Sequence, residues 1–291
     1  MKRYRLLCLL LGFGLNLSAQ IKGIVVDEFQ KPISYVNIWV ENENNSTTSE
    51  ENGEFTIHCE PEKKLIFSVL GYEKKMIKAS EANIVMLSTT TLELSEVVIL
   101  KRYQSKELEI GKVKNESYQA FENGPRIDAK YFAYNPSYKK TKYIKQVAIL
   151  TDSQIENTSF KIHFYAVNPD GSPGEALLQK DYIVSVRKGV KKSYFNILDF
   201  NLIFPKTGIF VGFEKLIIEK NKFEKEVLDS NTKKAIRQKM YFPYILYNYV
   251  ARDFYYSFSG GKWIKQTQLD TVRSSDKMKV YEPAIYLILT N

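Results

Sequence analysis

The sequence predicts an all-β fold of two β-sandwiches in series, and three observations carry that reading. Aromatic residues are almost all Tyr and Phe, 20 and 17 against 2 Trp, and both favour half-buried sheet faces. Apolar residues recur with period two in short runs rather than at helical spacing. Gly, Pro, Asn and Asp bound those runs, as turns between strands require. With 291 residues, 44% hydrophobic and 26% charged, the chain can build two cores.

Residues 1–19 read as a signal peptide. Lys2, Arg3 and Arg5 precede a short apolar run over residues 6–17, and Ser18-Ala19-Gln20 offers a cleavage point after Ala19. The run is too short to span a bilayer stably, and no later run of 18 apolar residues predicts a transmembrane helix. Cys8 lacks the small residues that precede a lipid-acceptor cysteine, and after cleavage Cys59 stands alone. No intramolecular disulfide is expected. Export to the periplasm, the outer membrane or beyond is the expectation. The formal charge of +9 falls by three with the signal, and the remaining lysines are interleaved with Glu and Asp. That is a solvated surface rather than a nucleic-acid groove, so no nucleic acid is expected as a partner.

The first sandwich is read over residues 20–90. A strand over residues 21–26 leads to a turn over 27–32. Val36, Ile38 and Val40 then alternate with Tyr35, Asn37 and Trp39, which places Trp39 on the polar phase. Residues 41–53 have loop composition, and Asn52-Gly53 marks a tight turn needing positive φ. Phe55, Ile57 and Cys59 alternate with Glu54, Thr56 and His58, which puts the Cys59 thiol in the core. Residues 65–70, 74–78 and 83–87 complete the strands.

These residues resemble the carboxypeptidase-regulatory-like domain of Bacteroidetes-type proteins. The resemblance rests on Ile21-Lys22-Gly23-Ile24-Val25-Val26-Asp27, Lys31-Pro32-Ile33, Asn52-Gly53-Glu54-Phe55, Leu65-Ile66-Phe67-Ser68 and Gly71-Tyr72. It implies a seven-stranded, transthyretin-like Greek-key sandwich with scaffold roles for those residues and no chemistry. Residues 94–99 resemble the segment that links such a domain to an outer-membrane transporter. A plug and barrel need hundreds of residues more than follow here.

Residues 91–126 read as a charged connector with one helical or strand segment. The second, larger sandwich spans residues 127–291. Phe160, Ile162 and Phe164 alternate with Lys161, His163 and Tyr165; residues 168–174 form a strong turn, and Ser259-Gly260-Gly261-Lys262 forms a hairpin turn. The region is similar to the jelly-roll-like companion sandwich found after this domain. Residues 219–240, rich in Lys and Glu, break the pattern. Phe223 and Val227 lie four apart, and an exposed insertion, mobile or partly helical, is expected rather than a functional lid.

No catalytic, cofactor or metal site is expected. Zinc hydrolysis needs two His and a Glu on one ion. The chain has only His58 and His163, both on outward phases of different strands. No nucleophile elbow or phosphate loop occurs in the mature chain. Asp152, Asp170, Glu175, Asp199, Glu214 and Asp270 fall near strand ends or turns and read as solvated caps. Paired carboxylates among them would suit a glycan hydrolase. Binding suits the sequence better, because sugars stack on exposed aromatics. Trp39, Tyr255 and Trp263 are the candidate ligand contacts, amid tyrosine clusters at 131–138 and 241–256. The expected role is a non-catalytic envelope module that recognises a glycan or a protein, with an assembly subunit of an outer-membrane complex as the other alternative.

Overall fold

The computed structural model describes residues 19–90, 105–113, 118–120, 124–229, 234–267 and 278–291. The expected signal segment before Ala19 lies outside them, as do Asp270 and parts of the 91–126 connector.

Seven strands build the first sandwich: β1 (Ala19–Val26), β2 (Asn37–Val40), β3 (Ser46–Thr48), β4 (Glu54–Cys59), β5 (Lys64–Ser68), β6 (Lys75–Lys78) and β7 (Ile84–Met86). They form two sheets, ordered β4-β1-β7 and β3-β2-β5-β6. All pairs are antiparallel except β1 with β7. Period two decides the layers: Phe55, Ile57 and Cys59 of β4 point inward and join Val36, Ile38, Val40, Leu65 and Phe67, while Glu54, Thr56 and His58 point out. Gly53 has φ +80°, and a Cβ there would lie 2.7 Å from the Val25 carbonyl oxygen. No other residue fits that turn without displacing β1.

The remaining strands are β8 (Glu107–Ile110), β9 (Tyr118–Ala120), β10 (Ile127–Phe132), β11 (Tyr143–Ser153), β12 (Thr158–Val167), β13 (Pro173–Ala176), β14 (Tyr182–Val186), β15 (Gly189–Asn196) and β16 (Ile209–Lys215). They continue as β17 (Lys222–Leu228), β18 (Ala235–Tyr241), β19 (Tyr244–Arg252), β20 (Phe254–Ser259), β21 (Lys262–Thr267), β22 (Met278–Pro283) and β23 (Ile285–Thr290). One sheet runs β13-β12-β16-β10-β20-β21 with β14 also on β12. The other runs β22-β19-β11-β23-β8, with β15 on β11 and β9 on β19. Phe160, Ile162, Phe164, Val211 and Phe213 from the first meet Val147, Ile149, Ile245, Leu287 and Leu289 from the second in one core. The connector therefore supplies two strands, β8 and β9, to the second body of sheets rather than a free linker.

Residues 219–240 correct the helical expectation. Strands β17 and β18 form a hairpin that pairs with no other strand among the described residues. Its register sets Glu224 against Lys239, Glu226 against Arg237, Phe223 against Met240 and Val227 against Ile236. Opposite charges and apolar partners thus face each other across the ladder. The spacing of Phe223 and Val227 misleads because residues four apart share a side in a strand as well as in a helix.

The two bodies of sheets touch along a seam. All residues of β16 are buried, on both faces. The inward face joins the second core; on the outward one Glu214 meets Asn37 of the first sandwich, and Phe210 packs against Tyr131 and Tyr256.

Candidate functional site

The seam is built from side chains that alternation turns away from the second core. Lys161 of β12 is wholly buried; its Nζ lies 2.5 Å from Asp181 Oδ2 and donates to the Tyr35 carbonyl at 2.7 Å. Beside it, His163 Nε2 lies 2.7 Å from Glu214 Oε2, which also accepts from Asn37 Nδ2 at 3.1 Å. Burial alone pushes the Glu214 carboxyl up. His163, Lys161 and Asn37 outweigh it and hold the group below the usual carboxylate range. Further along, Ile217 N–H donates to Thr48 Oγ1 at 3.1 Å and Glu219 N–H to Glu50 Oε1 at 2.8 Å. His163 and Glu214 are thus corrected from outward solvated groups to a buried pair. Their phase is right, but the outward side is covered.

The same cover explains the aromatic candidates. Trp39 is 3% exposed and packs edge-on against Phe258, with centroids 5.7 Å apart. Trp263 lies 5.3 Å from Phe258 and 5.1 Å from Tyr165. Trp39 and Trp263 meet around a cavity of about 160 Å3 in the seam, with Asn37, His163 and Asp181 in its wall. Trp39 is buried there, whereas Trp263 is half-buried. Tyr255 lies elsewhere and is also buried. Its hydroxyl donates to Asp128 Oδ1, Tyr247 donates to Oδ2 at 2.7 Å, and Arg126 Nε pairs with the same carboxylate at 2.9 Å. Burial first, and then the Asp128 charge, push both phenols well above their ordinary value, so they remain donors. Through these bonds Tyr255 holds the fold at that point.

Tyr255 also lines an aromatic pocket on β10, β16 and β20. It measures about 170 Å3, and Tyr131, Phe210, Phe254 and Tyr256 form its walls. Tyr131 lies 5.1 Å from Phe210 and 6.1 Å from Phe254, and Phe254 lies 5.6 Å from Tyr256. Ala129, Arg252, Asp253, Tyr255 and Glu282 complete the lining; the Arg252–Glu282 ion pair is two-pronged, with Nε and Nη2 at 2.5 and 2.6 Å from the two carboxylate oxygens. Lys130 Nζ sits 3.3 Å from Glu282 Oε1. The pocket therefore offers the half-buried rings of Tyr131 and Phe254, the paired charges of Arg252 and Glu282, and the exposed Asp253. The local signal for it is the alternation of Phe254 with Tyr256 along one strand, which sets both rings on one face. Tyr131 and Tyr256 fall within the tyrosine clusters, whereas Arg252 and Glu282 carry no local signal because 30 residues separate them.

Tyr249 and Tyr281, directly opposite on β19 and β22, form an exposed pair with centroids 5.0 Å apart. Among the described residues, no three His, Cys, Asp or Glu side chains gather as metal ligands do. Nor is any described helix long and apolar enough to cross a membrane.

Residues 21–99 match the family model of the CarboxypepD_reg-like domain. This part of the chain carries that domain. The CarboxypepD_reg-like domain is a β-sandwich of regulatory, non-catalytic type, as β1–β7 are arranged. The match covers well under half the chain. No curated protein matches the sequence. Among solved structures, a chain described as "Structure of infectious bursal disease virus Gx strain" aligns at 9% identity over 88% of this chain. This chain spans 57% of that one, and the TM-score is 0.22. So loose a likeness supports no inference.

Proposed function

We propose that this protein is an exported, non-catalytic module of the cell envelope that recognises a glycan through the aromatic pocket of its second sandwich. The observation that carries the reading is the pocket lining: the half-buried rings of Tyr131 and Phe254, over the buried Phe210 and Tyr256, around a space close to one sugar ring in size, with Arg252 and Glu282 beside them. Sugar C–H faces stack on aromatic rings, while guanidinium and carboxylate groups read hydroxyls. Two of the neighbouring carboxylates favour binding over turnover. Glu282 is engaged by Arg252 and Lys130, and Asp128 by Arg126 and two tyrosines. Export is supported by the composition of residues 1–19.

A glycan array probed with the full-length chain, followed by calorimetry on the retained sugars, tests this. Binding should fall at least tenfold in Phe254→Ala and Tyr131→Ala, with folding unchanged by circular dichroism. Retention that ignores both substitutions, or no retention at all, refutes the glycan site. Turnover of a bound glycan that stops in Glu282→Gln makes the protein an enzyme instead.

A further inference from the structure

A second, larger space lies where the first sandwich faces the β17–β18 hairpin. It measures about 520 Å3 and is mostly polar. Thr47 of β3 and Glu54, Thr56 and His58 of β4 form one wall; Glu219, Lys222, Lys239 and Tyr241 form the other. Strand β4 is the outermost strand of its sheet and pairs only with β1. The bond from Val25 N–H to the Gly53 carbonyl, 2.9 Å, fixes the phase of that ladder. Residues 53, 55, 57 and 59 turn their backbone groups to β1, so Glu54, Thr56 and His58 turn theirs outward. The outward carbonyls at the two ends are taken: Glu54 accepts from Glu50 N–H at 2.7 Å, and His58 from Asn45 Nδ2 at 2.8 Å. Between them, the Thr56 N–H and C=O have no partner among the described residues. An edge of this kind is a template for another strand.

Size and charge describe the strand that fits. At about 3.4 Å per residue, 4.8 Å between strands and 10 Å across side chains, one strand residue takes roughly 160 Å3. The cleft of about 520 Å3 thus holds about three residues at that repeat. Lys222 is engaged by Glu219 and Glu224 at 2.9 and 3.1 Å, and Lys239 stands opposite Glu224. Glu50 and Glu54 form no ion pair among the described residues; they accept from Glu219 N–H and Asn52 Nδ2 instead. Burial, with the charge of Glu219 adding to it, pushes the Glu50 carboxyl up against the opposing effects of the Glu219 N–H bond and the Lys222 charge.

We infer that this cleft receives a short extended segment of a partner protein carrying a Lys or Arg, which adds to the β4 edge by backbone pairing at Thr56 and sets its cation against Glu50 and Glu54. Main-chain bonds supply affinity in such strand addition, and the charge supplies selectivity. The site is separate from the aromatic pocket, so each stands or falls alone.

The probe is a randomised linear heptapeptide library panned on the immobilised full-length chain. Enriched sequences should carry one basic residue among β-branched neighbours. A synthetic enriched peptide, followed by fluorescence anisotropy, should lose at least tenfold in affinity when N-methylated at the residue that pairs with Thr56. Glu50→Gln with Glu54→Gln should weaken it several-fold, Thr56→Pro should abolish it, and Phe254→Ala should leave it unchanged. The N-methylated peptide gives the answer even if the proline variant fails to fold. Enrichment no greater than on bare matrix overturns the inference. So does binding indifferent to N-methylation, or peptides whose affinity survives the double glutamine substitution.

Discussion

Glu214 lies inside the seam, and its carboxylate meets His163 and Asn37 directly while Lys161 stands nearby. Its folded pKa is below the unfolded value of about 4.3. The group therefore adds stability that is complete above that value and is lost as pH falls through the folded pKa. Glu214→Gln should lower the unfolding free energy by about 3 kcal/mol at pH 7, and the deficit should shrink toward pH 3. Urea midpoints from pH 3 to 7 read this directly; a deficit constant across the range contradicts it. Lys161 makes the converse case. Lys161→Met strips Asp181 of its cation and Tyr35 of a donor, at a cost of about 3–5 kcal/mol. Adding Asp181→Asn should restore part of that loss, because the pair acts as a unit. At this scale the sequence shows phase well and cover poorly. Alternation sets Lys161, His163 and Trp39 away from their own cores, but nothing local reveals that another sandwich lies over them.

Elements differ in how far local sequence determines them. Strand β4 is legible residue by residue, because one face is a core and the other is not. The β20–β21 turn is legible too: Ser259 pairs with Lys262 around Gly260 and Gly261, whose φ values are +59° and +85°. Gly261 has a second constraint that no turn rule contains, since a Cβ there would approach Ile66 Cδ1 of the first sandwich to 2.6 Å. Gly261→Ala should therefore destabilise by about 1–3 kcal/mol, and adding Ile66→Val should recover a fraction of it in a thermal melt. Equal losses in the single and double variants deny the contact. The hairpin β17–β18 is not legible in this way, because its lysines and glutamates suit both a solvated helix and cross-strand ion pairs. At its distal end, Leu228 and Ile236 are exposed. Replacing both with Lys should shift stability by no more than about 0.5 kcal/mol per site.

For the whole molecule, the question is whether two cores unfold as one. Each sandwich has its own buried apolar cluster, though Leu70 of the first packs against the core of the second. What joins them is the seam: the Lys161 and Glu214 networks, the Trp39–Phe258 contact, the bonds from Thr48 and Glu50, and the Ser259 and Lys262 bonds to Asn44 and Asn42. Several of these are buried polar contacts, where losing one partner leaves the other unsatisfied at about 1–3 kcal/mol. Separating the bodies exposes many of them together, so the separation penalty exceeds what one surface bond implies. The intact protein should show a single calorimetric transition with van't Hoff and calorimetric enthalpies in agreement. Trp39→Ala combined with Asn37→Ala removes the ring contact and one Glu214 partner while sparing both cores. Trp39 faces away from the first core, so the first sandwich should survive the change. The double variant should then melt in two steps, the smaller enthalpy belonging to the seven-stranded sandwich. A single transition that merely moves to lower temperature would mean that the cores are coupled by more than the seam.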